Sequence, residues 1–296
     1  MYYQKTTEVY LNGKWLKAEK ASTSLYGQTL HYGNGVFEGI RAYETPDGAR
    51  IFKAKEHYER LLKSAELMHI PVGWTVAELI DLTVELLERN QLSNAYIRPL
   101  IFLGENMTLT PVSDSGLFLC AWEWGKYLGT GLQRLSLSPY RRPHPLSCHI
   151  EAKTVGHYTN SILASTEAKK RGFDEALLLD VNGFVAEGPG ANIFLEKDEK
   201  LYTPPLGQIL PGITRATIIE LAAELGVTLI EKPITPEELK TADSAFYVGT
   251  AAEVSGIKSV DDYVFPLSWE DTIGAVLARM YNLKVMGQDY HHFELV

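Results

Sequence analysis

The sequence predicts a globular α+β protein of about two domains, on three observations. First, its 296 residues exceed a typical domain of about 150 residues, so two domains are expected. Second, strand-like and helix-like patterns are both present but do not alternate strictly, which disfavours a doubly wound parallel sheet. Third, 45% of the residues are hydrophobic and 22% are charged, as in ordinary globular proteins. Such a chain folds without disulfides or a structural metal, and Cys120 and Cys148 show no metal-ligand spacing.

The first part of the chain predicts paired strands and two helices. Asn12-Gly13, between two short apolar runs, is typical of a hairpin turn, and Pro46-Asp47-Gly48 predicts a second one. Apolar residues at helical spacing predict helices over Glu56–His69 and Val76–Asn90. Two apolar, β-rich runs predict further strands: Ala95–Leu103 and Leu117–Trp124.

The second part begins after the glycine-rich segment Gly125–Gly131, which is the candidate linker. The predicted strands are Leu132–Ser138, Ala176–Val181, Asn192–Glu196, a run near Thr228–Glu231, and Ala245–Val248. The predicted helices are a segment near Asn160–Arg171, Thr214–Leu225, and Ser268–Tyr281.

The charge balance excludes some classes of partner. Lys and Arg number 28 and Asp and Glu number 37, a formal net charge of −9, whereas nucleic acids and anionic membranes require a basic surface. The N-terminal residues lack the apolar core of a secretory signal, and no apolar run approaches the roughly 18 residues of a membrane helix. We therefore expect a cytoplasmic protein of the size of an enzyme, and the acidic balance does not argue against a small acidic substrate.

Two other patterns carry little chemistry. Ser255–Lys258 matches S-x-x-K, but its companion motifs are missing, so a nucleophile there is not expected. His144, His149 and His157 lack helical spacing and favour surface or hydrogen-bonded histidines over a metal site. We expect no metal.

Two small-residue turns are candidate anion sites. Pro211–Thr214 stands before a helical pattern, where free N–H groups and the helix dipole favour an anion. The Thr214 hydroxyl is either a helix cap, the more common case, or a phosphate ligand. Gly249–Ala252 follows a strand and offers a second hydroxyl with free amides, so the two turns together suit one phosphate.

Lys153 and Glu187 complete a recognisable set of groups. Each alone is more often a surface residue, Lys153 in HIEAKTVGHY and Glu187 in GFVAEGPGANIF. Together with a phosphate site, however, a lysine that forms a Schiff base and a carboxylate that keeps a ring nitrogen protonated are what pyridoxal phosphate (PLP) requires.

Five further segments follow one another in a single order without large gaps. They are HYGNGVFEGIRAY (His31–Tyr43), AYIRPLIFL (Ala95–Leu103), LDVNGFVAEGPGANIF (Leu179–Phe194), LPGITRATI (Leu210–Ile218) and VGTAAEV (Val248–Val254). With them, nearly the whole chain from Val9 to about Val260 resembles the class IV, fold-type IV PLP enzymes, and most closely the branched-chain amino-acid aminotransferases. The resemblance implies a small N-terminal α/β domain (1–125), an interdomain loop (126–135), a larger β-barrel-like C-terminal domain with helices (136–296), a cofactor between the domains, and a homodimer that could assemble further.

The resemblance also implies roles for individual residues. Lys153 matches the catalytic Schiff-base lysine. The implied cofactor-binding residues are Arg60, Lys153, Tyr158, Glu187, Ile213, Thr214 and Thr250. The implied substrate-binding residues are Tyr32, Phe37, Tyr96, Arg98, Trp124, Tyr127, Thr250 and Ala251. Tyr96 and Arg98 are two apart on a predicted strand and so share a face, where an inward arginine needs an anion. The alternative for Arg98 is a structural ion pair with an internal Asp or Glu, and that for Arg60 is a surface ion pair. Trp124 and Tyr127 could be core aromatics.

The expected activity is amino-group transfer between L-branched-chain amino acids and 2-oxoglutarate. Two differences from the family pattern affect substrate preference: His157 stands where asparagine is common, and Glu105–Pro111 lacks the usual glycines. D-amino-acid or (R)-amine aminotransferases and aminodeoxychorismate-lyase-like enzymes on the same fold remain alternatives, as does a catalytically silent PLP-binding protein.

Overall fold

A computed structural model describes residues 2–110, 114–125, 128–129 and 131–290. The chain divides into two compact units. The first comprises Met1–Gly125 and Ala152–His157, and the second comprises Lys126–Glu151 and Tyr158–Val296. Among the described residues, no helix combines the length and the apolar character needed to cross a membrane.

The described residues of the first unit form seven strands and three α-helices. In chain order these are β1 (Glu8–Leu11), β2 (Lys14–Lys17), α1 (Gln28–Tyr32), β3 (Gly35–Phe37), β4 (Ile40–Thr45), β5 (Gly48–Ile51), α2 (Ala54–Leu67), α3 (Val76–Asn90), β6 (Ala95–Phe102) and β7 (Gly116–Trp122).

The strands of this unit form one sheet in the order β2-β1-β7-β6-β4-β5, and β3 pairs with β6. The predicted hairpins are confirmed: Leu11 pairs with Lys14 around Asn12-Gly13, and β4 pairs with β5. Asn12 and Gly13 both have positive φ, as this type of turn requires. Helices α2 and α3 bury Leu61 and Leu79 against strand residues such as Ile97, so the core lies between helices and sheet.

In the described part of the second unit there are nine strands and four α-helices. In chain order these are β8 (Gln133–Arg141), α4 (Tyr158–Lys170), β9 (Glu175–Leu179), β10 (Val185–Glu187), β11 (Asn192–Lys197), β12 (Lys200–Thr203), α5 (Ile213–Glu224), β13 (Leu229–Glu231), α6 (Pro236–Leu239), β14 (Ser244–Gly249), β15 (Glu253–Val260), β16 (Tyr263–Val264) and α7 (Ile273–Val285).

Six strands of this unit close on themselves. The order β10-β9-β8-β15-β14-β11 is completed by pairing of β11 with β10, so the predicted barrel-like sheet is confirmed. Strands β12 and β13 extend the sheet beyond β11. Apolar side chains, among them Leu135, Ile193 and Tyr247, form the core of this unit.

The structure corrects the start of one predicted helix and also bears on the S-x-x-K pattern. The last helix begins at Ile273 rather than at Ser268, because Thr272 caps it by accepting a hydrogen bond from Ala275 N. Ser255 and Lys258 lie three apart on β15, on opposite faces of the strand, so they form no S-x-x-K nucleophile.

The units also differ from the sequence-based division. Strand β8 begins within the predicted interdomain loop, and the segment Ala152–His157 belongs to the first unit. Lys126, Tyr127 and Thr130 of the candidate linker lie outside the described residues.

Candidate active site

Lys153 lies in the segment Ala152–His157 of the first unit. The chain on both sides of this segment belongs to the second unit. The N–H of Lys153 donates to Ser64 Oγ of α2 at 3.0 Å, and its carbonyl accepts from Phe37 N of β3 at 3.1 Å. Its Nζ lies 5.0 Å from the centre of the Phe37 ring, a distance at which an aromatic face attracts a cation. The backbone is therefore fixed from two sides, while the side chain is partly exposed over the ring.

A close backbone approach holds this segment in place. Gly156 N donates to Gly33 O at 3.0 Å, and Thr154 bridges to Val36. Gly33 has a φ of +70°, which favours glycine, and a Cβ there would lie 2.7 Å from Gly156 Cα. A side chain at position 33 would therefore push the Lys153 segment away.

Arg98 and Tyr96 contact each other on one face of β6, which confirms the prediction from strand alternation. Arg98 Nη2 donates to the Tyr96 hydroxyl at 3.2 Å, and the guanidinium carbon lies 4.8 Å from the centre of the Phe37 ring. Lys153 and Arg98 therefore share one aromatic ring. Within the described part of the chain, the buried Nε of Arg98 has no hydrogen-bond acceptor and no carboxylate forms an ion pair with this side chain.

Aromatic side chains surround the Tyr96 ring. Its centre lies 5.2 Å from that of Trp122 and 4.8 Å from that of Trp124, which packs edge-on. Gly39 leaves space for the hydroxyl, because a Cβ at that position would lie 1.9 Å from it. The predicted substrate residues Phe37, Tyr96, Arg98 and Trp124 thus form one group.

Arg60 forms a buried ion pair with Glu38 rather than the surface pair considered from the sequence. Its Nε and Nη2 donate to the two carboxylate oxygens at 2.6 and 2.9 Å, and the Glu38 side chain is 0% exposed. His57 Nδ1 lies 2.8 Å from Glu38 Oε2. Burial by itself would raise the pKa of Glu38, but Arg60 and His57 hold it well below its usual range. The two hydrogen bonds to Glu38 orient the Arg60 guanidinium. The role of Arg60 at the cofactor phosphate stays a prediction.

Tyr32 lies at the end of α1 and is exposed. Its hydroxyl donates to Met107 O at 3.3 Å, so Tyr32 contacts the loop that differs from the family pattern. Gln28 Nε2 binds the same loop through Thr108 O at 2.8 Å. Tyr127, the remaining aromatic residue predicted to bind substrate, lies outside the described residues.

In the second unit, Glu187 ends β10 and is buried, so the interpretation as a solvated turn carboxylate is wrong. Asn192 Nδ2 donates to its Oε2 at 3.0 Å, and Leu210 N donates to its Oε1 at 3.2 Å. Arg142 Nε lies 3.0 Å from Oε1. Two neutral donors and one cation therefore contact the carboxylate.

Asn192 connects Glu187 with the two predicted anion sites. It pairs with Glu187 in β10 and with Val248 in β14, and its Nδ2 also donates to Leu210 O at 3.1 Å. A Cβ at Gly212 would lie 1.9 Å from Asn192 Oδ1, so the start of α5 approaches it closely. Glu187, the start of α5 and the turn after β14 therefore lie near one end of the barrel-like sheet.

The start of α5 corrects the interpretation of Thr214. Gly212 is the N-cap, without a side-chain hydrogen bond, and Thr214 is the second helical residue and is buried, so the helix-cap interpretation is wrong. First-turn N–H groups lack partners within a helix and favour an anion. Thr250 and Ala251 lie in the turn between β14 and β15. Their cofactor and substrate roles, and those of Ile213 and of Tyr158 at the start of α4, stay predictions.

Sequence reasoning missed Glu38, Arg142 and Asn192. A charged residue inside the apolar run before β4 could have pointed to Glu38, since such a residue needs a partner. Asn192 lies in the same motif as Glu187 and shares its strand pairing. Arg142 carried no signal, because its partner is brought near it by the pairing of β9 with both β8 and β10.

Comparison with known proteins places these residues in a family. Residues 35–260 match the amino-transferase class IV family. The branched-chain-amino-acid aminotransferase of Pseudomonas aeruginosa PAO1 is 41% identical over 295 residues, covering 97% of this chain and 95% of that protein. The enzyme of the same name from Escherichia coli K12 is 39% identical over 270 residues, covering 88% of this chain and 87% of that protein.

Solved structures give the same result. The branched-chain aminotransferase of Thermoproteus uzoniensis with norvaline has a TM-score of 0.92 at 39% identity, covering 96% of both chains. The T.th. branched-chain amino acid aminotransferase complexed with N-(5'-phosphopyridoxyl)-L-glutamate has a TM-score of 0.91 at 36% identity, covering 96% of both chains. The PLP form of the Thermobaculum terrenum enzyme has a TM-score of 0.91 at 31% identity, covering 98% of this chain and 97% of that one. The chain therefore belongs to the class IV aminotransferase family.

Proposed function

We propose that this protein is a PLP-dependent aminotransferase that exchanges the amino group between L-leucine, L-isoleucine or L-valine and 2-oxoglutarate. The observation that carries the proposal is the pairing of Lys153 and Arg98 on the Phe37 ring. It puts an amine suited to imine chemistry beside a guanidinium suited to a carboxylate. The relatives described above support the same activity. The proposed location is the cytoplasm.

The residues present fit PLP. When bound, PLP supplies an aldehyde that condenses with an amine and a cationic ring that withdraws electrons from the substrate Cα. Glu187 offers a buried carboxylate suited to a protonated ring nitrogen, and the start of α5 offers free N–H groups suited to a phosphate. The proposed cofactor ligands are Arg60, Lys153, Tyr158, Glu187, Ile213, Thr214 and Thr250.

Lys153 is the proposed proton carrier. Its backbone is fixed by hydrogen bonds with Ser64 and Phe37, and its Nζ lies 5.0 Å from the centre of the Phe37 ring. Lys153 would be the amine that condenses with the PLP aldehyde, and its Nζ, when free, would accept the proton that leaves the substrate Cα.

Arg98 and Tyr96 are the proposed carboxylate ligands. Arg98 is half-buried, its Nε lacks an acceptor among the described residues, and a bound carboxylate would supply one. Phe37 and Trp124 add apolar surface for a branched side chain, and each methylene accommodated is worth on the order of 1 kcal/mol or more. Tyr32, Tyr127, Thr250 and Ala251 are proposed to complete the substrate site.

An exposed apolar surface on the first unit supports a homodimer. Leu25, Tyr26 and Leu30 are exposed around α1, and Leu109 is 85% exposed on the adjoining loop. Asn106 N donates to Tyr26 O at 3.1 Å, so the loop and the helix form one surface. Contiguous exposed apolar surface is typical of a protein interface.

The oligomeric state tests this surface. Leu109→Glu should convert the dimer to a monomer in sedimentation equilibrium, because a charge would be buried in the interface. Val264→Glu is the matched control, since Val264 is an exposed apolar residue of the second unit. A Leu109→Glu variant that sediments like the unaltered protein contradicts the proposed surface.

A panel of amino donors tests the activity. The PLP-loaded protein should form glutamate from 2-oxoglutarate with L-leucine, L-isoleucine and L-valine at least about tenfold faster than with L-alanine. Lysine and arginine should be rejected, because their charge would go unpaired beside apolar groups. Equal or higher rates with D-alanine, or with an amine that has no carboxylate, would replace the branched-chain assignment by one of the alternatives on this fold.

A further inference from the structure

Arg142 is a buried cation without an assigned role. It follows β8, and its N–H donates to Leu179 O of β9 at 2.9 Å. Its side chain is 8% exposed, and its Nε lies 3.0 Å from Oε1 of Glu187, whose side chain is 5% exposed. Burying an ion pair costs desolvation that its attraction barely offsets, so packing alone does not explain an arginine at this position.

The Arg142 side chain contacts both Asn160 and Glu187. Its Nη1 donates to Asn160 Oδ1 at 3.2 Å, and Asn160 Nδ2 in turn donates to Arg141 O at 2.9 Å. The guanidinium is thus fixed on the side away from Glu187. The other carboxylate oxygen of Glu187 is held by Asn192 at 3.0 Å. Asn160, Arg142, Glu187 and Asn192 therefore form one continuous polar chain.

We propose that Arg142 is a positioning residue that keeps Glu187 ionised and so keeps the PLP ring nitrogen protonated. The proposal rests on the proposed function, in which Glu187 pairs with that nitrogen. One proton is shared between the carboxylate and the ring nitrogen. A cation beside the carboxylate stabilises its negative charge more than it destabilises the ring cation beyond it, because Coulomb energy falls with distance. Removing the cation therefore moves the proton from the ring nitrogen to Glu187.

Two substitutions separate charge from packing. Arg142→Met keeps an unbranched side chain of similar reach without charge, whereas Arg142→Lys keeps the charge without the planar fork. Arg134→Met is the matched control, because Arg134 lies on β8, the strand that Arg142 follows, and its ion pair with Asp174 is exposed.

The experiment uses the PLP-loaded full-length protein, with PLP labelled with ¹⁵N in the ring, at one fixed pH. In Arg142→Met, the ¹⁵N signal should move toward that of unprotonated pyridine, and the rate of amino transfer from L-leucine should fall about tenfold or more, while PLP stays bound. Arg142→Lys should retain the protonated signal, and Arg134→Met should behave like the unaltered protein.

An unchanged ¹⁵N signal in Arg142→Met overturns the proposal, even if the rate or the stability has fallen, because a purely structural role predicts that combination. Failure of the proposed function is seen elsewhere: the unaltered protein itself would then not bind PLP or would not transfer the amino group.

Discussion

Glu38 is the residue whose replacement should most damage the first unit. Its carboxylate is fully buried and accepts two hydrogen bonds from Arg60, at 2.6 and 2.9 Å, and lies 2.8 Å from His57 Nδ1. Glu38→Gln provides only one acceptor oxygen and points an NH₂ donor at Arg60 or His57, which leaves a buried guanidinium uncompensated. Breaking a buried ion pair from one side costs about 3–5 kcal/mol, against a typical total stability of about 5–15 kcal/mol.

Guanidinium-induced unfolding of the PLP-free protein, followed by circular dichroism, measures this loss. Glu66→Gln on the same helix as Arg60 is the control, because its ion pair with Lys63 is exposed and should contribute at most about 1 kcal/mol. The double variant Glu38→Met with Arg60→Met removes both charges, and it should be more stable than Glu38→Gln. A loss below about 1 kcal/mol in Glu38→Gln, or a double variant that is the least stable of the set, would refute the reasoning.

Acid should weaken the same cluster. Burial lowers the pKa of His57, and Arg60 and His57 lower that of Glu38 against the opposing effect of burial. For both groups the unfolded chain binds protons more readily than the folded one, so stability falls as pH falls. The loss from His57 begins below its ordinary pKa of 6.5, and that from Glu38 begins below 4.5. Glu38→Gln should therefore flatten the dependence of unfolding free energy on pH below pH 4.5, where the Glu38 carboxylate takes up a proton in the unfolded chain.

Three further predictions concern the proposed active site. Lys153→Ala should lose the borohydride-reducible link to added PLP and several orders of magnitude of turnover, and a reducible link that persists would move the nucleophile elsewhere. Glu187→Gln should keep fold and cofactor but lose rate by a factor of about a hundred, and unaltered rates would make the carboxylate purely structural. Gly39→Ala should displace the Tyr96 hydroxyl and raise the KM for L-leucine about tenfold, whereas Gly73→Ala, with open space around it, should not; equal KM values would separate Tyr96 from the substrate.

Local signals predicted the parts of the fold that local interactions determine. The Asn12-Gly13 hairpin and helices α2 and α3 follow from turn chemistry and apolar spacing within a few residues. Strands β3 and β10 have only three residues each, too few for a clear alternating pattern, so the sequence did not indicate them. Strand β3 also depends on pairing with the distant strand β6. The shared face of Tyr96 and Arg98 was predictable, because strand alternation alone determines it.

The same distinction explains which site residues were found. Lys153 and Glu187 were recognised from the motifs around them. Their surroundings, by contrast, depend on packing between separate elements. Ser64 anchors Lys153 from a helix, and Arg142 reaches Glu187 only when β9 pairs with both β8 and β10. No periodicity in the sequence connects residues that meet in this way.

Each of the two units contains a buried ion pair between a glutamate and an arginine. Glu38–Arg60 and Glu187–Arg142 each place a carboxylate and a guanidinium out of water, where an apolar pair of similar volume would give equal or greater stability. Each pair also includes one residue proposed to bind the cofactor, Arg60 for the phosphate and Glu187 for the ring nitrogen. A long charged side chain that must bind a ligand in one geometry gains from a fixed partner, because the partner removes rotamer freedom before binding. Stability is thus given up for preorganised charges, which is the exchange expected where a protein holds an ionic cofactor.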